Sequence, residues 1–273
     1  MGRTGEIQGE NKMKKFGFIG MGNMAQAMAE GFITSGKVCA GSIFAYAPNQ
    51  EKLKNNAERL GFTPCASLKE LSESCDTLIM ACKPYQIEDV LKELGEGGLK
   101  GKNLISVAAG WDFEKYAAHI DCRETAVQYV MPNTPVAVGK GTFLMEETSS
   151  MKDEDRIAIT DILSALGTVI TMPSRLMDAA TAVSGCGPAF FDMVIEAIAD
   201  GAVKNGITRK TAYELACTTM AGTAELMLKT GLHPGELKDR VCSPGGTTIK
   251  GVASLEESGI RSAFIKAVDA VLE

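Results

Sequence analysis

The 273-residue chain has one tryptophan and two histidines, and its aromatic residues amount to 6%. Histidine is the commonest proton carrier in enzymes, so acid–base chemistry here has few places to start. His119, in "AAHIDC", reads as a surface residue. His233, in "TGLHPGEL", stands before a proline at an expected helix start and reads as structural. Basic runs are missing as well, and the net charge is −6, which excludes general nucleic-acid binding. No stretch approaches about eighteen consecutive apolar residues, so no membrane span is expected. The eight cysteines, from Cys39 to Cys242, show neither CxxC nor a metal-ligand spacing. They are expected to be reduced and individually structural, with no metal site. The opening "MGRTGEIQGENK" lacks the apolar core of a signal peptide and the Arg-rich character of a transit peptide. Residues 1–12 are read as a loose extension. These absences point to a cytoplasmic protein with neither nucleic-acid nor membrane partners.

What is present falls into two rhythms. Over residues 13–172, short β-forming runs ("KFGFIG", "SIFAYA", "TLIMAC", "NLISVAA", "TAVQYVM", "GTFLME") alternate with amphipathic segments. "SLKE", at 67–70, has the form of a capping box. The alternation predicts an α/β fold with a mostly parallel, Rossmann-type sheet. Over residues 173–273 the strand signal disappears. The run 187–205 is apolar almost all round, with Asp192, Glu196, Asp200 and Lys204 forming one narrow polar stripe. The segment from Thr208 to about Thr230 repeats the pattern. Helices with so thin a wet face are buried on nearly every other side. Interlocking helices from two copies of the chain are the expected solution, making this an all-helical dimerisation domain.

Gly20-x-Gly22-x-x-Ala25 lies after an apolar strand and at the opening of a helix, the context that gives a glycine fingerprint its meaning. Gly20 permits the tight turn, Gly22 admits a pyrophosphate to the backbone, and Ala25 allows close helix–strand packing. A dinucleotide is the expected cofactor. The second strand ends "AYAPNQ", without the acid that usually holds an NAD ribose. Asn49 and Lys52 are the nearest polar candidates, so the reading leans to NADPH with NADH accepted. Later strand ends bring "ACKPYQ" with Lys83, "AAG", and "MPNTP" with Asn133 to the same edge, as a nicotinamide pocket requires.

The turn "CSPGGTT", at 242–248, is rich in hydroxyls and glycine and opens a helix, yet carries no strong acid. A substrate needing little acid help fits it: a protonated cyclic imine already accepts hydride. If that substrate also bears a carboxylate, hydroxyls and helix N-terminal N–H groups seat it without a cationic side chain.

"GFIGMGNMAQAM", "KPYQ", "AAG", "MPNTP", "SGCGPAFF" and "HPGELKDRVCSPGGTTIKGVASLE" resemble, in order and spacing, the motifs of the pyrroline-5-carboxylate reductases. The resemblance runs from about Lys14 to the C-terminus. It implies reduction of L-Δ1-pyrroline-5-carboxylate to L-proline, the last step of proline biosynthesis, with NAD(P)H. It also implies a helical domain that dimerises by interlocking, with dimers often assembled in rings. The cofactor would touch Ile19, Gly20, Met21, Gly22, Asn23 and Met24, then Ala47 and Asn49. Beyond these it would meet Ala81, Cys82, Lys83 and Pro84, and Val107, Ala108, Ala109 and Asn133. The substrate carboxylate would sit on Ser243, Gly246 and Thr247, with Thr248 in reach of the ring nitrogen as the catalytic residue.

Three departures stand out. Cys186 replaces a common serine, Ala47 stands where some members hold the 2′-phosphate with a serine, and the chain stops at Glu273, earlier than many relatives. "GFIGMGNM" also resembles the opening of the β-hydroxyacid dehydrogenases. Those rely on a lysine four residues past a glycine-rich turn, and here none follows "SGCGP" until Lys204. A non-catalytic NAD(P)H scaffold would be expected to show damage in "SPGGTT", which is intact.

Overall fold

The computed structural model describes residues 15–273, so the expected extension at 1–12 lies outside the described residues. Two compact units divide between Gly185 and Cys186. The division comes later than the expected 172/173, because a helix after that point belongs to the sheet unit. This helix, α7 (Met177–Ser184), packs on β7 (Gly141–Ser149), with Met177 buried beside Tyr129 and Leu144.

The first unit is built on an eight-stranded sheet in the order β3-β2-β1-β4-β5-β6-β7-β8. The strands β1 (Phe16–Ile19), β2 (Ile43–Tyr46), β3 (Thr63–Pro64), β4 (Thr77–Met80), β5 (Asn103–Ser106) and β6 (Ala126–Pro132) are all parallel. β1 pairs with β2 on one side and β4 on the other, Phe16 lying opposite both Ile43 and Thr77. The strand order reverses at β1, the switch point where ligands sit in open α/β sheets. β7 is antiparallel to β6, and β8 (Gly167–Met172) runs parallel to β7.

β1 and β4 read as unbroken apolar runs because both of their faces are covered. Phe16 and Phe18 share one core with Met28 and Phe32 of α1 (Asn23–Thr34) and Ile159 and Leu163 of α6 (Asp153–Ser164). Ile19, Leu78 and Met80 face the other, with Leu71 of α3 (Leu68–Ser74) and Leu91 of α4 (Ile87–Leu99). Phe18 is wholly buried, and truncating such a side chain to alanine costs about 3–5 kcal/mol. Half of the capping box forms at α3: Ser67 Oγ accepts from Glu70 N at 3.1 Å. The Glu70 carboxylate reaches one residue further back than the pattern prescribes, accepting from Ala66 N at 2.7 Å. α2 (Gln50–Leu60) and α5 (Phe113–Ala117) complete the layers.

The second unit is all-helical: α8 (Gly187–Lys204), α9 (Arg209–Thr230), α10 (Pro234–Arg240), α11 (Thr247–Glu257) and α12 (Ile260–Leu272). Thr208 caps α9 as its sequence anticipates, accepting from Thr211 N. α8 and α9 pack on each other, and the residues buried along them are small: Ala199, Ala212 and Ala216. The polar stripe of α8 is exposed, with Asp200 paired to Arg209. Large apolar side chains are exposed too, Met193 at 70% and Leu228 at 84%. The same two helices line an apolar groove of about 570 Å³, with Ile198, Leu215, Met220 and Met227 in its wall. Contiguous apolar surface of this kind marks an interaction face.

Candidate active site

β1 delivers the chain into Gly20, whose N–H donates to Tyr46 O at 2.7 Å. Gly20 has φ +93°, and a Cβ there would lie 2.8 Å from Cys82 N and 2.9 Å from Ala81 O. Both conformation and close approach of backbone therefore exclude a side chain. Gly22 differs: it caps α1 in extended conformation, and a Cβ on it would meet open space. No side chain caps α1 and no acid lies in its first turn, so its first N–H groups point outward under the positive end of the helix dipole. Ala25 is buried against the sheet, as the fingerprint requires. The residues present fit a pyrophosphate.

The neighbouring loops reach the same edge because their strands are parallel and in register. Ala81 N donates to Ile19 O at 2.9 Å, and Val107 N to Met80 O at 3.0 Å. Lys83 is extended before Pro84 and exposed, its N–H held by Gln86 Oε1 at 3.1 Å. Burial pushes the half-buried Cys82 thiol up to about 11, so it stays protonated near neutral pH and is no nucleophile. Asn49 Oδ1 caps α2, accepting from Lys52 N at 2.9 Å. Met21 turns its side chain into the core, so only its backbone serves the edge. Asn133, expected among the cofactor contacts, is mostly buried with both ends of its amide engaged. Oδ1 accepts from Thr142 N at 2.8 Å and Nδ2 donates to Ser184 O at 2.9 Å, tying β6 to β7 and α7.

In the second unit, Ser243-Pro244-Gly245-Gly246 forms a turn closed by Gly246 N donating to Ser243 O at 3.0 Å, with Gly245 at φ +69°. The Gly246 N–H is thus consumed by the turn, and its contribution is space: a Cβ there would lie 2.4 Å from Ser243 Oγ. Gly246 caps α11 without a side-chain partner, and no acid occupies the first turn. The exposed Thr247 and Thr248 open that turn beside Ser243. His233 caps α10, its Nδ1 accepting from Gly235 N at 3.1 Å. His119 hydrogen-bonds Lys115 O through Nδ1 at 2.7 Å, with Trp111 against its ring. Both histidines have structural employment. The sequence reading passes over Glu146 and Tyr129, two groups set around the β5–α5 loop. An acid within an apolar strand is their one visible signal.

A glycine loop at the switch point of a parallel sheet, in a chain that also carries an all-helical unit, defines a dinucleotide-dependent oxidoreductase. A family model described as "NADP oxidoreductase coenzyme F420-dependent" matches residues 15–110, and one described as "Pyrroline-5-carboxylate reductase dimerisation" matches 174–273. The chain is 39% identical to a pyrroline-5-carboxylate reductase of Treponema pallidum, over 94% of this chain and 98% of the relative. It is 42% identical to that of Methanosarcina acetivorans, over 93% and 94%. The crystal structure of Plasmodium falciparum pyrroline carboxylate reductase with NADP bound superposes with a TM-score of 0.85, at 32% identity, over 94% and 95% of the two chains. The chain belongs to the pyrroline-5-carboxylate reductase family.

Proposed function

We propose that the chain reduces L-Δ1-pyrroline-5-carboxylate to L-proline, with NADPH as the preferred hydride donor and NADH accepted. The observation that carries the reading is the start of α11, where no side chain caps the helix, Thr247 and Thr248 are its first two residues, and Ser243 Oγ stands 2.4 Å from where a Gly246 Cβ would be. Such an assembly binds an anion without a cation, which suits a substrate that is an iminium and a carboxylate at once.

The cofactor loops Ile19–Met24, Ala47–Asn49, Ala81–Pro84 and Val107–Ala109 hold the dinucleotide, with the pyrophosphate on the free N–H groups of α1. NADPH supplies the hydride to the C=N carbon. Ser243 Oγ and the N–H groups of Thr247 and Thr248 grip the carboxylate, which fixes the ring. The Thr248 hydroxyl orients the ring nitrogen; it is too weak an acid to protonate it near neutral pH.

The region 173–273, whose first helix α7 packs with the sheet unit, serves dimerisation and substrate binding, residues 13–172 serve the cofactor, and dimers assemble further into a ring. The segment 174–204 is apolar and long enough, by length and composition, to cross a membrane. Its helix α8 nonetheless presents Asp192, Glu196 and Asp200 outward, which a bilayer disfavours and a second copy of the chain tolerates. A cytoplasmic location is part of this reading and suits a chain whose eight cysteines are unpaired.

Initial rates of NADPH and NADH oxidation with L-Δ1-pyrroline-5-carboxylate, run side by side, test the reading. Turnover with the NADPH kcat/KM the higher is expected. Cofactor binding without turnover would refute it.

A further inference from the structure

Glu146 lies in the middle of β7 and is completely buried. Its Oε2 accepts from Phe113 N at 2.9 Å, while Oε1 has no hydrogen-bond partner among the described residues. The polar groups around it are the Ser174 hydroxyl and the acids Asp112 and Glu114. A buried carboxyl held by one backbone N–H and the Ser174 hydroxyl, with like charges nearby, is a poor choice for stability alone.

The local backbone is shaped to put it there. Between Gln128 and Val130 the β6–β7 register slips, so that β7 carries extra residues opposite β6. Bulges of this sort re-aim side chains and recur beside active sites. Gln128, also fully buried, fills the gap by donating to Glu146 O and Tyr129 O, each at 2.9 Å.

What Glu146 grips is the first N–H of α5, and α5 is the far anchor of the loop that leaves β5 through Val107, Ala108 and Ala109. That loop is tied at its start by Val107 N to Met80 O and inside by Trp111 N to Ala108 O at 3.2 Å. Tyr129 meets it at the Gly110 backbone. The Glu146 bond reaches across from β7 to secure its exit.

We infer that Glu146 is a positioning residue for the dinucleotide, its buried carboxyl holding Phe113 N–H and thereby setting the Val107–Ala109 loop against the nicotinamide end. The inference rests on the cofactor site proposed above. The role needs an acceptor rather than a charge. A glutamine would keep the bond to Phe113 and offer its amide to the Ser174 hydroxyl.

Trp111 is the chain's one tryptophan and sits in this loop, nearly buried, its ring centroid 5.2 Å from those of Tyr116 and His119. Its fluorescence reports the loop directly. The test is an NADPH titration of the full chain, followed by tryptophan quenching, for wild type, Glu146→Gln and Glu146→Ala, with steady-state kinetics alongside. Glu146→Ala is expected to weaken NADPH binding about tenfold, or ~1.4 kcal/mol, and to shift the Trp111 emission. The KM for the imine at saturating NADPH should hold within about twofold, and Glu146→Gln should bind like wild type. Phe113→Pro removes the N–H at a helix position where proline is accommodated, and Phe113→Ala keeps it. The proline variant should bind about tenfold more weakly than the alanine one, which serves if Glu146→Ala fails to fold. Undiminished binding by Glu146→Ala, equal losses in Glu146→Ala and Glu146→Gln, or equal affinities of the two Phe113 variants would overturn the inference. A wild-type chain unable to bind NADPH would overturn the cofactor site along with it.

Discussion

Gly246 offers a way to remove the Ser243 hydroxyl without touching Ser243. Its φ is −69°, so Gly246→Ala meets no backbone strain, but the new methyl would stand 2.4 Å from Ser243 Oγ and 3.1 Å from Ser243 O. The hydroxyl must swing away from the start of α11. If it donates to the substrate carboxylate, the loss is that of a hydrogen bond to a charged group, about 1.5–3 kcal/mol. That corresponds to a fall of roughly 10- to 150-fold in kcat/KM for the imine. Ser243→Ala removes the same bond directly and should lose as much. The double variant should then lose little more than Ser243→Ala, within about 0.5 kcal/mol, because the atom that the new methyl displaces is already gone. The assay is kcat/KM for L-Δ1-pyrroline-5-carboxylate at saturating NADPH, with NADPH affinity and melting temperature as controls expected to stay put. Losses that multiply in the double variant would show that Gly246→Ala acts by another route. No loss in Ser243→Ala would remove the hydroxyl from the carboxylate site altogether.

Three further outcomes are expected. Thr248→Ala should lower kcat about 10- to 100-fold, ~1.4–2.7 kcal/mol, with the shape of the pH–rate profile unchanged; loss of all detectable rate at every pH would make Thr248 a proton donor. Ala47→Asp places a carboxylate at the end of β2, where it repels a 2′-phosphate and favours ribose hydroxyls, so the NADPH-to-NADH ratio of kcat/KM should drop by about tenfold or more. Burial, ahead of the nearby Asp112 and Glu114, raises the Glu146 carboxyl above its ordinary range. The folded chain therefore holds a proton that the unfolded chain releases, and stability should decline as pH rises from the ordinary carboxylate range through the raised value. Denaturant unfolding between about pH 4 and 7 should show this slope in wild type and less of it in Glu146→Gln, and identical slopes would refute it.

The sheet unit was legible where one residue's surroundings repeat along the chain. β1 and β4 are covered on both faces and so spell out unbroken apolar runs, and the glycine loop joins strand to helix within a few residues. β8 is passed over although its run "GTVITM" is rich in β-formers: it pairs only with β7 and much of it is exposed, so no apolar block like those of β1 and β4 announces it. The site residues divide the same way. Gly20 announces itself through a turn that needs its φ, whereas Asn133 spends its amide on Thr142 and Ser184, partners that no local pattern predicts. Glu146 is the extreme case. Its partner, Phe113 N, comes from another element, and which way the carboxyl faces depends on a slip in the β6–β7 register. A strand pattern assumes strict alternation, and a bulge breaks that assumption.

The helical unit poses the opposite problem, because its sequence supplies more apolar surface than one chain can cover. Phe191, Met193, Ile198, Leu215, Leu226 and Leu228 are all at least half exposed in the single chain. Burying a fully exposed side chain of this size contributes about 1.5–3 kcal/mol. Each of the six is already partly covered, so their exposed remainder together is worth roughly 5–11 kcal/mol, on the scale of a whole domain's net stability of about 5–15 kcal/mol. A surface term that large cannot be incidental to folding. The family model for this region describes dimerisation, and the arithmetic makes the dimer part of what stabilises the fold. Apparent stability of the helical half should accordingly rise with protein concentration, as mass action requires when association and folding are coupled.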